Sequence, residues 1–195
     1  MSSNPECILL FSGKRKSGKD YITDKLFDKL GSDNSVILKL SGPIKSHWAN
    51  TQQLNLNDLL SDGPYKEQYR LQMIKWGEET RNKDYGYFCN AAIDMYNARE
   101  KKIWIVSDVR RKTDIKWFTE NYKNICKTIR IISNNDIRSQ RGWIFTPGVD
   151  DSETECDLDD VHDWDLEIVN ENNNNLNNNI IIHDICQLVK SSSQC

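Results

Sequence analysis

Short apolar runs alternate along this chain with stretches whose apolar residues return every three or four positions. The runs Ile8-Leu9-Leu10-Phe11, Val36-Ile37-Leu38-Lys39-Leu40, Ile103-Trp104-Ile105-Val106-Ser107, Thr128-Ile129-Arg130-Ile131-Ile132 and Leu166-Glu167-Ile168-Val169 predict strands. The third is apolar enough to lie at the centre of a sheet. Helical spacing follows the first run at Ile22, Leu26, Phe27 and Leu30 and stops at Gly31. It recurs at Tyr65, Tyr69, Met73 and Trp76, at Ile115 and Phe118, and at Ile181, Ile185 and Leu188. Such alternation predicts an α/β fold, with a parallel central sheet of about five strands and helices on both faces. Ligands then bind beyond the carboxyl ends of the strands. Nothing between these elements has the composition of a linker, so one domain over residues 1–195 is expected. The asparagine-rich tract at 172–179 reads as a surface insertion with no catalytic part.

Composition narrows the partners. A net charge of −3 and a pI near 5.7 argue against a general nucleic-acid or anionic-membrane surface. The basic residues are clustered, which suits a focused pocket for a small polyanion. Six cysteines occur without C-x-x-C spacing, and the N-terminus lacks a secretory start. No apolar run approaches the roughly 18 residues of a membrane span. Reduced thiols and a cytoplasmic protein are expected.

The stretch Gly13-Lys14-Arg15-Lys16-Ser17-Gly18-Lys19-Asp20 fits the phosphate-binding loop G-x-x-x-x-G-K-[ST] at every fixed position except the last. A strand before it and a helix after it supply the context that the motif needs. Two glycines let the backbone wrap a phosphate, and the N–H groups point inward with the positive end of the helix behind them. Lys14, Arg15 and Lys16 add charge beyond what a nucleotide alone requires, which points to two phosphorylated molecules meeting here. Asp20 stands where a hydroxyl normally touches Mg²⁺, and a carboxylate is a hard oxygen ligand; an N-cap or solvated role is the alternative.

Further charges fall where such a fold places ligands. Asp108 ends the third strand, as a second metal-supporting carboxylate would, and Arg110 and Arg111 follow it; a helix cap beside solvated arginines is the alternative. Lys66 and Arg70 are spaced i, i+4 on one predicted helix, with Arg81 just beyond its pattern. The segment 134–160 combines Arg138 and Arg141 with Gly142, Pro147 and Gly148 and then an acidic run, as a mobile lid over phosphates would. Asp150 and Asp151 are available to pair with its arginines when it is open.

The segments Phe11 to Asp20, Leu40 to Pro43, Tyr65 to Glu67, Trp76 to Glu79, Ser107 to Arg111, Asp114 to Phe118 and Arg141 to Asp151 together resemble the animal-type phosphomevalonate kinase family, in order, from about Leu9 to Asn170. Aspartate in the last loop position is part of that family's pattern. The resemblance implies a nucleoside-monophosphate-kinase-like fold and an ATP- and Mg²⁺-dependent phosphotransferase of the isoprenoid and sterol pathway, acting on 5-phosphomevalonate as a monomer. It implies nucleotide contacts at Gly13, Lys14, Arg15, Lys16, Ser17, Gly18, Lys19 and Asp20, with Lys14, Arg15, Lys19 and Asp20 also catalytic. Contacts to the phosphorylated substrate are implied at Arg81, Arg110 and Arg111, with Arg110 also catalytic, and Lys66 and Arg70 are candidates beside them. Arg130, Arg138 and Arg141 are placed near the phosphates and lid, and Asn170 close to the ligands. The asparagine tract and the ending Ser191 to Cys195 depart from the family, and import by a Ser-Lys-Leu-like peroxisomal signal is not expected.

An acceptor phosphate is already ionised at neutral pH, its second pKa being about 6, so no general base is needed. Two polyanions must instead be brought together, which suits lysines and arginines and leaves His47, His162 and His183 outside the motifs. Other small-molecule or nucleotide kinases would share this loop and lid. A nucleotide-dependent switch is the more distant alternative, because a GTPase would want Ser or Thr at position 20 and an Asn-Lys-x-Asp motif.

Overall fold

Cys7–Ser12 forms β1, and all six of its residues are buried. A strand apolar on both faces needs a layer on each side. Ile8 and Leu10 enter one hydrophobic cluster, while Cys7, Leu9 and Phe11 enter the other, following the two-residue alternation of a strand. The computed structural model describes residues 5–60, 64–171 and 175–192. After β1 come α1 (Lys19–Leu30), β2 (Ser35–Leu38), α2 (Ser41–Gln52), α3 (Leu56–Leu60), α4 (Arg70–Lys83), α5 (Tyr87–Met95), β3 (Ile103–Val106) and α6 (Lys112–Tyr122). Then follow β4 (Cys126–Ile132), α7 (Asn135–Gln140), α8 (Glu153–Cys156), β5 (Leu166–Val169) and α9 (Asn175–Ser192).

The sheet runs β2-β3-β1-β4-β5 with every pairing parallel. Trp104 and Val106 of β3 and Leu38 of β2 pack with Cys89 and Ile93 of α5 and Phe118 of α6. On the opposite face, Ile105, Ile129, Ile131 and Ile168 pack with Ile22 and Leu26 of α1 and Ile181, Ile185 and Val189 of α9. The result is three layers. From β1 the chain goes first to one side, through β2 and β3, and then to the other, through β4 and β5. That reversal opens a crevice at the carboxyl end of β1, where ligands bind in open α/β sheets.

Each expected strand is present, and the fold class is as read from the pattern. The second strand ends at Leu38, because the following residues turn into α2. Helix α2 buries only Gly42 and Ala49, so its apolar period is faint and the pattern does not reveal it. Tyr65 lies in a 3-10 turn (Pro64–Gln68) and Tyr69 immediately precedes α4, so Lys66 and Arg70 do not share one helix. Arg81 lies inside α4 rather than beyond it. Within the asparagine tract, residues from Asn175 onward open α9, while 172–174 lie outside the described residues. Among the described residues, no helix is long and apolar enough to cross a membrane.

Close packing against α6 leaves no room for a side chain at one glycine. A Cβ on Gly86, the residue that precedes α5, would lie 2.2 Å from Nε1 and 2.4 Å from Cδ1 of Trp117, a ring that is 8% exposed. Replacing Gly86 with Ala is expected to lower unfolding stability by about 1–3 kcal/mol through overpacking. Urea unfolding checks this, and an unchanged midpoint would show that the indole yields freely.

Candidate active site

Residues 13–18 join the carboxyl end of β1 to α1 through two left-handed residues, Lys16 (φ 60) and Gly18 (φ 87). A non-glycine residue there costs about 1–2 kcal/mol, so the turn must be held by its surroundings. The holding groups reach the loop from behind. Arg138 Nε donates to Arg15 O at 2.8 Å. Ser17 O accepts from Asn170 Nδ2 at 2.9 Å, Arg141 Nη1 at 3.0 Å and Ser133 Oγ at 3.1 Å. Arg141 also donates to Lys16 O at 3.4 Å. With these carbonyls tied back, the N–H groups of Lys16 and Gly18 are left to face the other way, as an anion nest requires, while Ser17 N donates across the turn to Lys14 O at 3.1 Å. Asn170 stands so close that a Cβ on Gly18 would come within 2.3 Å of its Nδ2.

Lys19 opens α1 with a buried side chain whose Nζ donates to Ser107 O and, at 2.7 Å, to Asp20 Oδ1. The surrounding walls raise the Asp20 carboxyl, but Lys19, with Lys39 and Arg110 beyond it, outweighs them and holds it below the usual carboxylate value. Asp20 is therefore ionised at neutral pH, and its side chain is open to solvent. Among the described residues no three His, Cys, Asp or Glu side chains gather into a metal cage. Mg²⁺ does not demand one, because it usually takes one or two carboxylates together with phosphates and water. Asp20 fits that donor pattern.

A cavity of about 530 Å³ lies in front of the loop. The loop with Lys19 and Asp20 lines one wall. The others come from Lys39 and Leu40 after β2, Ile44 and Lys45 on α2, Arg70, Met73, Ile74, Gly77 and Arg81 on α4, and Asp108 and Arg110 after β3. Val149, Thr154 and Glu155 close it from the segment around α8. Positive charge thus arrives from both sides of one space.

A family model described as phosphomevalonate kinase matches residues 11–124. A curated phosphomevalonate kinase from Drosophila melanogaster is 52% identical over 167 residues, covering 84% of this chain and 88% of its own. The chain belongs to the phosphomevalonate kinase family. A gluconokinase from Sinorhizobium meliloti 1021 shares the fold alone, with a TM-score of 0.52 at 12% identity over 97% of this chain and 94% of that one.

In this kinase, several charges singled out in the sequence sit away from the cavity lining. Arg138 and Arg141 lie behind the phosphate loop with Asn170, and Arg138 stacks on Trp143 at 4.0 Å. Arg130 bonds Ser12 Oγ at 2.8 Å and Asp159 at 3.1 Å. Arg111 pairs with Glu78 at 3.0 Å and Glu153 at 2.9 Å, linking α4 to α8. The lid's acids do not pair with its own arginines as expected. Asp150 bonds Arg15 at 2.9 Å, Trp143 Nε1 at 3.0 Å and Thr146 N at 2.8 Å, and Asp151 accepts from Gly148 N at 2.6 Å. Glu155 pairs with Arg110, and Asp159 with Lys14. Asp108 takes the alternative cap role, accepting from Leu40 N at 2.6 Å and Ser41 N at 3.0 Å, although it also lines the cavity. The Lys66 side chain lies outside the described residues.

Sequence reasoning missed Lys39, Lys45 and Asp114. Lys39 was legible as the residue that leaves a strand at its carboxyl end. Asp114 is fully buried; Oδ2 accepts from the amides of Arg110 and Arg111 at 3.2 and 3.1 Å, and Oδ1 lies 3.6 Å from Arg81 Nε. Burial raises its carboxyl, while Arg81 and the two amides oppose that rise. One carboxylate therefore sets the positions of three arginines. Replacing Asp114 with Ala is expected to cost about 3–5 kcal/mol in urea unfolding, because a buried guanidinium loses its partner. Asn should cost less, since its amide oxygen still accepts from the backbone. Equal losses for both variants would remove the backbone hydrogen bonds from this account and leave the charge to carry it.

Proposed function

We propose that this member of the phosphomevalonate kinase family transfers the γ-phosphoryl group of ATP to the phosphate of (R)-5-phosphomevalonate, giving 5-diphosphomevalonate and ADP. One observation carries the reading: loop 13–18 with Lys19 faces Arg70, Arg81 and Arg110 across a single cavity, so two polyanions can meet end to end. The acceptor oxygen is ionised at neutral pH, so the residues must supply position and positive charge rather than a base. The loop amides with Lys14, Arg15, Lys16 and Lys19 hold the donor phosphates. Arg70 and Arg81 grip the acceptor. Arg110, between Asp20 and Asp108, follows the charge as it moves between the two.

Asp20 would hold Mg²⁺ with the phosphates, and Asp108 would hold a metal-bound water, its carboxylate already oriented by two amides. When bound, Mg²⁺ neutralises charge on the transferring oxygens. Arg138, Arg141 and Asn170 act on the nucleotide through the loop that they hold. Arg130 and Arg111 fasten the acidic segment to the sheet and to α4. Asp150, Glu155 and Asp159, carried by the segment 134–160 that serves as the lid, hold Arg15, Arg110 and Lys14 until phosphates take their place. A single-domain cytoplasmic monomer completes the reading.

Coupled ADP release with 5-phosphomevalonate tests the reaction. Dependence of ADP release on this acceptor, with a diphosphate product by ³¹P NMR, is expected; release that ignores the acceptor would refute it. Lys19→Met and Asp20→Asn are each expected to lower kcat by about 100-fold or more with thermal melts unchanged, because both stabilise transferring charge. Near-parent turnover by Asp20→Asn at saturating Mg²⁺ would remove the carboxylate from the mechanism. Arg110→Met should raise the KM for the acceptor more than that for ATP, and Arg141→Met the reverse. Equal effects on both substrates from both variants would mean that loop support and acceptor grip are not separable.

A further inference from the structure

The cavity face of α4 is a helical stripe of Arg70, Met73, Ile74, Gly77 and Arg81. Gly77 is its one residue without a side chain, and it lies well inside a helix of 14 residues. Glycine in a helix interior is unfavourable relative to alanine, so a reason is needed. Elsewhere in this protein packing gives the reason. A Cβ on Gly42 would lie 2.4 Å from the Tyr96 hydroxyl, and one on Gly86 would enter the Trp117 ring. Gly77 has no such neighbour. Its backbone is not left-handed, and a Cβ there would make ordinary contacts, at 3.5 Å to Ile44 Cδ1 and 3.6 Å to Arg81 Nη1. Both of those side chains line the cavity themselves.

The fold would accept alanine at this position and gain by it; what alanine would crowd is the cavity. Ile44, Met73 and Ile74 make the surroundings apolar, and Arg81 stands one turn further along the same face. We infer that Gly77 is a specificity-determining residue, whose bare backbone receives the short branched carbon chain of the acceptor while Arg81 takes an anionic group of the same molecule. The inference rests on the acceptor reading above and adds to it the surface that measures the acceptor's bulk.

Gly77→Ala tests it with two readouts of opposite sign. The urea midpoint is expected to rise, as for any helix interior that exchanges Gly for Ala. The KM for 5-phosphomevalonate, and its dissociation constant by calorimetry, should rise by about tenfold or more, the scale of one misplaced methyl group in a fitted pocket. The KM for ATP should stay at the parent value. An unchanged acceptor KM overturns the inference, as does an equal rise in both KM values. A lowered midpoint overturns it too, since the glycine would then serve the fold. If the parent enzyme releases no ADP with this acceptor, the functional reading fails and takes the inference with it. If the parent turns over and the variant binds the acceptor equally well, the inference fails alone.

Discussion

The site depends on where three peptide carbonyls point. Those of Arg15, Lys16 and Ser17 are drawn backward by Arg138, Arg141, Ser133 and Asn170, and an amide plane cannot turn its oxygen one way without turning its N–H the other. The left-handed turn at Lys16 and Gly18 is unfavourable by itself and persists because donors from two other segments, two of them guanidinium groups, hold its oxygens. Hydrogen bonds from charged groups are roughly twice as strong as neutral ones, which suits guanidinium groups to this task. Anion binding at the front of the loop therefore rests on cation binding at its back.

Concentrating lysines and arginines around one cavity has a cost, because like charges repel most where water is scarce. Arg110 shows the tension: burial pulls its guanidinium down from the ordinary value, Arg70 and Arg15 add to that, and Asp108 and Asp20 oppose it. The acidic segment offsets the rest. Asp150, Glu155 and Asp159 sit against Arg15, Arg110 and Lys14 much as phosphate oxygens would. The clustered cations are thereby compensated by carboxylates of the same protein rather than left as a bare positive hole.

Most of the fold was legible because strand and helix periods are local. The loop was legible for the same reason: strand, glycines, lysine and helix are contiguous from Ile8 to Leu30. What the sequence hid was direction. Arg138 and Arg141 read as lid residues reaching over phosphates, yet they approach from behind, since α7 begins just after the end of β4, beside the loop. The lid's acids read as partners for its own arginines, but Arg138 and Arg141 are turned onto the loop carbonyls, and Asp150, Glu155 and Asp159 meet Arg15, Arg110 and Lys14 instead. Asp114 was invisible for a different reason. A buried carboxylate three residues into a helix looks like an ordinary capping-box acid, and only the arrival of Arg81 from α4 gives it a second task.

Asn170 bonds Ser17 across 153 positions of sequence. The loop leaves the ribosome well before Asn170, one of the side chains that hold it. Closing so long a span is slow and gives nothing until β5 has joined the sheet. A nascent or truncated chain can thus display the whole phosphate-binding motif and still lack a formed anion nest. The last of the loop's supports is therefore in place only after β5 has joined the sheet.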